Sequence, residues 1–331
     1  MQYAMLLWPH ANGRYEEAAR NPAKAELERI LKCVNADAEV KFTRFMNAGA
    51  LTFEFGVLDK RQLLHISRHS LMFLFGMWED NRAFVPLSGS PEVSLGEDLA
   101  FVQKYKGKTN ERFTQQLINF ALYSGDFSNS DDKISLLDPM CGRGTTLFQA
   151  LNRGWTATGI DADRREIQEL NGFFEKYLQF HRVKHKKTAL SRTIQGKNPV
   201  NLTQFEINSE NILRTGCADA SYARAAFGRE AFHLIVSDLP YGVQHAPSGK
   251  GGADSFENTI KNAMPSWAEA LKPGGAIALS FNVFTLKTAR VREIMRENGL
   301  VPMEGAEFEN TQHWVEQAVT RDLAVGVKKR A

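Results

Sequence analysis

The sequence predicts an α/β protein in two parts. A mostly parallel, doubly wound sheet occupies residues 98–331, and a smaller α+β unit occupies residues 1–97. Three observations lead there. From about residue 99 short apolar runs alternate with segments of helical periodicity, the rhythm of βαβ units whose strands are covered on both faces. Before that, two alternating runs joined by "MNAG" sit between stretches of helical spacing, in the order βαββαβ of a ferredoxin-like unit. Between the two parts lies "PLSGSPEVSLGED" (86–98), whose Pro, Gly and Ser content marks a boundary.

The elements follow in order. "YAMLLW" reads as a strand, and "YEEAARNPAKAELERILKCV" as an amphipathic helix interrupted near Pro22. "AEVKFTRF" and "ALTFEFGV" read as a strand pair, "DKRQLLHISRHSLMFLFGMW" as helical throughout, and "AFVPL" as a closing strand. In the second part "KISLLDPM", "WTATGIDAD", "NILRTGCAD", "AFHLIVSDLP" and "GGAIALSFN" are strands. Between them "TTLFQALNRG", "REIQELNGFFEKYLQFH" and "SFENTIKNAMPSWAEALKPGG" have helical spacing. A helix, "LKTARVREIMRENG", and an antiparallel pair, "LVPMEGAEFEN" and "QAVTRDLAVGVKK", complete a sheet of seven strands.

Composition excludes several classes. With 43% hydrophobic and 24% charged residues the chain is that of a globular protein, and no apolar run reaches the roughly 20 residues that span a bilayer. No basic leader or small-residue cleavage site opens it, so a cytoplasmic protein is expected. Cys33, Cys141 and Cys217 form no CxxC and no Cys/His ligand spacing, which leaves neither a disulfide framework nor a metal site. The net charge of +3 permits nucleic acid as a partner without requiring it. The basic density is local, in "KYKGKTNER" (104–112) and in "HRVKHKKTALSRTIQGK" (181–197), and the latter contains no acid.

Ligands of open α/β sheets bind beyond the carboxyl ends of the strands, where the strand order reverses. There the first strand ends in "DPMCGRGTT": Gly142 and Gly144 let the backbone turn tightly, and a helix N-terminus follows. This is neither GxGxxG nor a P-loop. Asp138 ends the first strand, Asp161 of "GIDAD" the second, and Asp219 of "CADAS" follows the third. Three acids would repel a pyrophosphate, but they suit a cationic nucleoside with an amino group, a ribose and an adenine. S-adenosylmethionine is such a ligand. Asp163 competes with Asp161 as helix cap, Asp219 reads either as an acceptor for an adenine amino group or as an ordinary acid after a strand, and Cys141 reads as a small buried residue rather than a nucleophile.

Together "DPMCGRGTTL", "GIDAD", "CADAS" and "SDLPYG" resemble class I S-adenosylmethionine-dependent methyltransferases. Within that class they most resemble the RNA guanine-N2 methyltransferases of the tRNA position-10, THUMP-associated group. The resemblance implies a cofactor site of Asp138, Pro139, Cys141, Gly142, Gly144, Thr145, Thr146, Asp161, Ala162, Asp219 and Ala220, with S-adenosylhomocysteine as product and no metal. "KYKGKTNERFTQQLINFAL" resembles the group's extra motif, which implies that Lys108, Thr109 and Asn110 touch the methionine end of the cofactor. The first 97 residues leave little room for a THUMP module.

"SDLPYG" would be the acceptor side. Asp238 and a backbone carbonyl of Leu239 or Pro240 would accept hydrogen bonds from an exocyclic amine, freeing its lone pair, while Tyr241 stacks on the base. A base must be unstacked to enter such a site. Tyr241 stands where a pyrimidine-C5 enzyme commonly carries a catalytic Cys, so nitrogen is the expected acceptor. Guanine N2 of tRNA leads, with adenine N6 or cytosine N4 of DNA or rRNA as alternatives. A non-catalytic cofactor-binding RNA assembly factor is an alternative of another class; a small-molecule or protein methyltransferase, including one acting on a glutamine amide, is a third. RNA contact is expected from Lys104, Lys106, Arg182, Lys184, Lys186, Lys187 and Arg192, and from the 244–254 loop.

Overall fold

The computed structural model describes every residue except 46–47, 80–82, 88, 90–92, 97, 131, 195–198, 241–251, 317 and 331. The N-terminal sheet contains β1 (Gln2–Leu7), β2 (Lys41–Phe45), β3 (Ala48–Glu54), β4 (Met72–Glu79) and β5 (Ala83–Pro86), in the order β2-β3-β1-β4-β5. Every neighbouring pair is antiparallel. Helices α1 (Gly13–Cys33) and α2 (Lys60–Ile66) connect them.

Two expectations are corrected here. Helix α1 runs through Pro22 without a break, capped by the Asn12 side chain and held by buried Ala23, Leu27, Ile30 and Leu31. Its tertiary burial offsets the missing amide. The stretch read as helical from Asp59 onward is helical only as α2; "MFLFGMWE" is β4, a central strand along β1. A contiguous apolar run has no period to separate the two states, and its aromatic content favours a strand. Gly76 in β4 is required: an added Cβ would meet the Val85 carbonyl oxygen at 2.4 Å.

Among the described residues the second sheet has ten strands, where the sequence predicts seven. These are β6 (Ser135–Asp138), β7 (Thr156–Asp161), β8 (His185–Arg192), β9 (Val200–Ile207), β10 (Asn211–Cys217), β11 (Phe232–Asp238), β12 (Leu271–Asn282), β13 (Leu300–Pro302), β14 (His313–Glu316) and β15 (Val319–Lys328). Their order is β13-β15-β12-β11-β6-β7-β10-β9-β8, with β14 also on β15. The five strands from β12 to β10 in that order are mutually parallel, and the outer ones pair antiparallel. Residues 300–310 form only the three-residue β13 and then a short helix rather than one long strand.

The remaining helices are α3 (Leu99–Val102), α4 (Glu111–Ser124), α5 (Thr145–Asn152), α6 (Arg164–Phe180), α7 (Ala223–Phe227), α8 (Gly252–Ala270), α9 (Thr288–Glu297) and α10 (Ala306–Glu309). One hydrophobic cluster runs from Tyr3, Leu27 and Phe53 through Leu117 and Phe120 of α4 to Leu136, Val236 and Leu323 of the large sheet. Glu26 of α1 is 1% exposed within this region. Its carboxylate accepts from the Ser70 amide (2.8 Å) and hydroxyl (2.5 Å), from Gln116 (3.1 Å) and from Asn119 (2.5 Å). Four donors satisfy a buried charge that would otherwise be strongly destabilising.

Candidate active site

The chain leaves β6 for β7 and β10 on one side and later returns to β11 and β12 on the other, so the strand order reverses at β6. Because these strands are parallel, Asp138, Asp161 and Asp238 end at the same edge of the sheet; Asp138 is level with Gly159, Asp161 with Cys217, and Asp238 with Ser280. This is the crevice in which open sheets bind ligands.

Asp138 is 3% exposed. It accepts from the Ser237 hydroxyl (2.8 Å), the Met140 amide (3.1 Å) and the Thr146 hydroxyl. Burial outweighs these donors and pushes its pKa up to about 7, with Asp161 acting in the same direction. Asp161 accepts from the amides of Gly142 and Asp163, both at 2.8 Å, and burial raises its pKa also. Asp163, not Asp161, caps α6, through the Arg165 amide. Asp161 is thereby tied to the glycine turn rather than to the helix.

That turn needs its glycines. Gly142 has φ +47° and Gly144 φ +89°, and an added Cβ on Gly144 would lie 2.8 Å from Leu170 Cδ1. At Gly142 an added Cβ would meet only Glu166 Oε2, at 4.0 Å. Pro139 is buried, and Thr145 opens α5 beside the Tyr105 hydroxyl. Cys141 is 6% exposed, and burial with two nearby carboxylates raises its thiol pKa well above the ordinary value, the opposite of an activated nucleophile. Asp219 is exposed and caps a short 3-10 turn through the Ser221 amide (2.9 Å) and hydroxyl (2.5 Å). Ala162 is exposed, and Ala220 is buried with its carbonyl accepting from Trp267 Nε1.

Asp238 lies at the centre of a polar cluster. Oδ1 accepts from the Ser280 hydroxyl at 2.7 Å, Oδ2 accepts from the Thr109 hydroxyl, and the Arg321 guanidinium stands 3.7 Å away. Arg321 is buried and lies 4.6 Å over the Phe113 ring. Leu239 is buried, while Pro240 is exposed. The Leu239 amide donates to the Ser280 carbonyl at 2.9 Å, which fixes the backbone just after Asp238. Tyr241 and most of the 244–254 loop lie outside the described residues.

Segment 108–110 is brought to this cluster. Thr109 bonds Asp238, and Asn110 caps α4 through the amides of Arg112 (2.9 Å) and Phe113 (3.2 Å). Lys108 staples its own loop, donating to the carbonyls of Ala100 and Gln103 and pairing with Glu111. Lys104 and Lys106 are exposed on the same loop. The other basic residues lie elsewhere. Arg182 and Lys184 follow α6, and Lys186, Lys187 and Arg192 are exposed on β8, a strand where a loop is the simplest expectation. β8 is the fifth strand from β11, about 24 Å along the sheet at about 4.8 Å per strand. Lys187 is paired there with Glu175 at 2.7 Å. Lysines on an edge strand also discourage pairing with other chains.

Sequence reasoning missed Ser280, Arg321 and His313. The His313 ring is 4% exposed, packs 4.8 Å from Phe113, and has its pKa lowered to about 4 by burial and by Arg321. Among the described residues no group of three His, Cys, Asp or Glu could hold a metal ion, and no helix is long and apolar enough to cross a membrane.

No family model matches the chain, and no curated protein matches its sequence. Solved structures do resemble it at low identity. A TehB-like SAM-dependent methyltransferase from Corynebacterium glutamicum is 17% identical, with 66% of this chain and 97% of that one covered, at a TM-score of 0.35. TrmN from Thermus thermophilus is 14% identical, with 88% of this chain and 60% of that one covered, at a TM-score of 0.42. A ribosomal protein L11 methylase from Lactobacillus delbrueckii is 12% identical, with 66% and 80% covered, at a TM-score of 0.38. These are partial likenesses, and the chemistry of the site rests on the residues of this chain.

Proposed function

We propose that the protein is an S-adenosylmethionine-dependent methyltransferase acting on an exocyclic amino nitrogen of an RNA base, guanine N2 of tRNA first among the candidates. The observation that carries this is the placement of Asp238 beside the reversal of strand order, at the same sheet edge as Asp138 and Asp161. The residues fit the cofactor in kind. A buried acid suits an ammonium, a second acid suits ribose hydroxyls, and Gly142 leaves room for close approach. Pro139, Cys141, Gly144, Thr145, Thr146, Ala162, Asp219 and Ala220 complete the same rim in this proposal, with Thr109 and Asn110 at its far end. When bound, the cofactor supplies an electrophilic methyl group on a sulfonium.

The protein's part is positioning. Asp238 accepts a hydrogen bond from the amine, turning its lone pair away from the ring, and takes up the proton lost when nitrogen gains the methyl. Ser280 and Thr109 hold the carboxylate in place, and Arg321 offsets its charge. A carbonyl of Leu239 or Pro240 accepts the second amine hydrogen, and Tyr241 stacks on the base. The N-terminal sheet is the ferredoxin-like accessory unit, and the exposed lysines and arginines make salt-sensitive phosphate contacts.

The test is transfer of labelled methyl from the cofactor to bulk tRNA, rRNA and DNA, followed by nucleoside analysis, with Asp238→Asn alongside. Label in N2-methylguanosine of tRNA is expected, with transfer by the variant reduced at least about a hundredfold and cofactor affinity nearly unchanged. Label only in N6-methyladenine or N4-methylcytosine would refute guanine as acceptor. Equal loss of transfer and cofactor binding in the variant would make Asp238 structural.

A further inference from the structure

A cavity of about 140 Å³ opens between the N-terminal sheet and the start of α4. Its walls include Trp8, Tyr15, Arg20, Phe42, Phe101 and Arg112. Two guanidinium planes lie on its rings: Arg112 is 4.3 Å from Trp8 and 5.8 Å from Phe101, and Arg20 is 4.7 Å from Phe42. Trp8 nonetheless remains 40% exposed, and Phe73, packed edge-on against it at 4.6 Å, is 52% exposed.

Polar groups are buried in this cleft as well. Among the described residues Arg20 Nε is buried without a hydrogen bond, while Nη1 of the same guanidinium stands 3.6 Å from Glu17 Oε1. A smaller recess shares Tyr15, Ala19, Leu71 and Arg112 with the cavity and ends at His313. Both ring nitrogens of His313 are buried, and a polar neighbour of the ring there is the Thr311 backbone, which favours its protonated form. Such groups are expected to find a partner. The two cleft carboxylates are already balanced, Glu16 by Arg44 at 3.6 Å and Glu111 by Lys108. Flat apolar walls, stacked guanidiniums and the unbonded Arg20 Nε together suit a planar, acceptor-rich ring attached to an anion. That is the chemistry of a nucleotide.

Its position assigns which nucleotide. Asn110, Glu111 and Arg112 line the cavity and directly follow Thr109, the partner of Asp238. Phe113 lies beneath Arg321, which faces Asp238, and beside His313 at the end of the recess. The cleft and the acceptor site therefore flank the N-terminus of α4, and Asp238 does not line the cleft. We propose, resting on the reaction proposed above, that this cleft holds an unpaired nucleotide of the RNA substrate adjacent to the methylated one. A splayed neighbour stacked there would keep the target base unstacked and would set its register at Asp238.

The experiment uses the full-length chain and a fluorescein-labelled single-stranded RNA hexamer, with binding read by anisotropy. Trp8→Ala and Arg20→Ala should each weaken hexamer binding roughly tenfold, and Trp8→Phe should stay within about threefold of the wild type. Unchanged affinity in Trp8→Ala would overturn the proposal, as would equal loss in Trp8→Ala and Trp8→Phe. AMP competing as strongly as the hexamer would also overturn it, since the ligand would then be a free nucleotide. Calorimetry with the cofactor separates the two proposals. A wild-type chain that binds no cofactor but shows the Trp8 effect would refute the methyl transfer, and with it the adjacency, and leave RNA binding at the cleft standing.

Discussion

Replacing Asp138 by Asn should stabilise the ligand-free protein, and increasingly so as pH rises. The carboxyl is 3% exposed, and burial lifts its pKa from the ordinary 3.8 to about 7. About three pH units at about 1.4 kcal/mol each put the full penalty of carrying the charge near 4 kcal/mol. The sign follows from the direction of the shift. An acid raised in the folded state holds its proton more tightly there, so its stabilising contribution is complete below about pH 4 and is lost as pH climbs through about 7. Between about pH 5.5 and about pH 8.5 the wild type should lose roughly 2 kcal/mol on this account. Asn cannot titrate, yet its oxygen can still accept from the Ser237 hydroxyl and the Met140 amide. Urea unfolding of both proteins across that window should therefore show stabilities that diverge by roughly 2 kcal/mol in favour of the variant at the alkaline end. Parallel curves would refute the assignment of a buried, shifted carboxyl. The same substitution should weaken cofactor binding, because an ammonium loses its counter-charge, and wild-type affinity should fall as pH drops below about 7.

Two further outcomes follow from the packing. Gly144→Ala forces a side chain into φ +89° against Leu170, and should lower stability by about 1–3 kcal/mol with a matching loss of cofactor affinity, measured by urea midpoint and calorimetry. Glu26→Ala strands the donors of Ser70, Gln116 and Asn119 in a buried site and should remove about 3–5 kcal/mol, with Glu26→Gln milder; a loss below about 1 kcal/mol in equilibrium unfolding would show that water replaces the carboxylate there.

Much of the candidate site can be read locally because its acids sit at strand ends. An apolar run closing on Asp138, with Gly142 and Gly144 behind it, announces a strand, a tight turn and a helix within a dozen residues. Asp161 and Asp238 are legible in the same way. What surrounds Asp238 is not legible. Thr109 lies 129 residues away and Ser280 lies 42 away, and no local pattern encodes a partner at that separation. Arg321 and His313 sit on paired strands, β15 and β14, and the second of these is too short to announce itself. The hairpin β8–β9 is hidden by its charge. As an edge with one solvated face it alternates weakly, and its lysines look like a loop to any reading of composition. Pro22 misleads because tertiary burial of α1 overrides a breaker, and the aromatic run of β4 misleads because a contiguous apolar run carries no period.

The hub at Glu26 has a consequence for the order in which the chain is made. Its partner Asn119, in the helix that precedes the large sheet, is 93 residues downstream. At about 5–20 residues per second of synthesis, helix α1 leaves the ribosome roughly 5–20 seconds before the helix that covers it. During that interval the N-terminal sheet has a half-covered helix, with Glu26 on it, whose complement does not yet exist. The N-terminal unit thus emerges ahead of α4 but is completed only when α4 closes over it and the two sheets acquire their common interior.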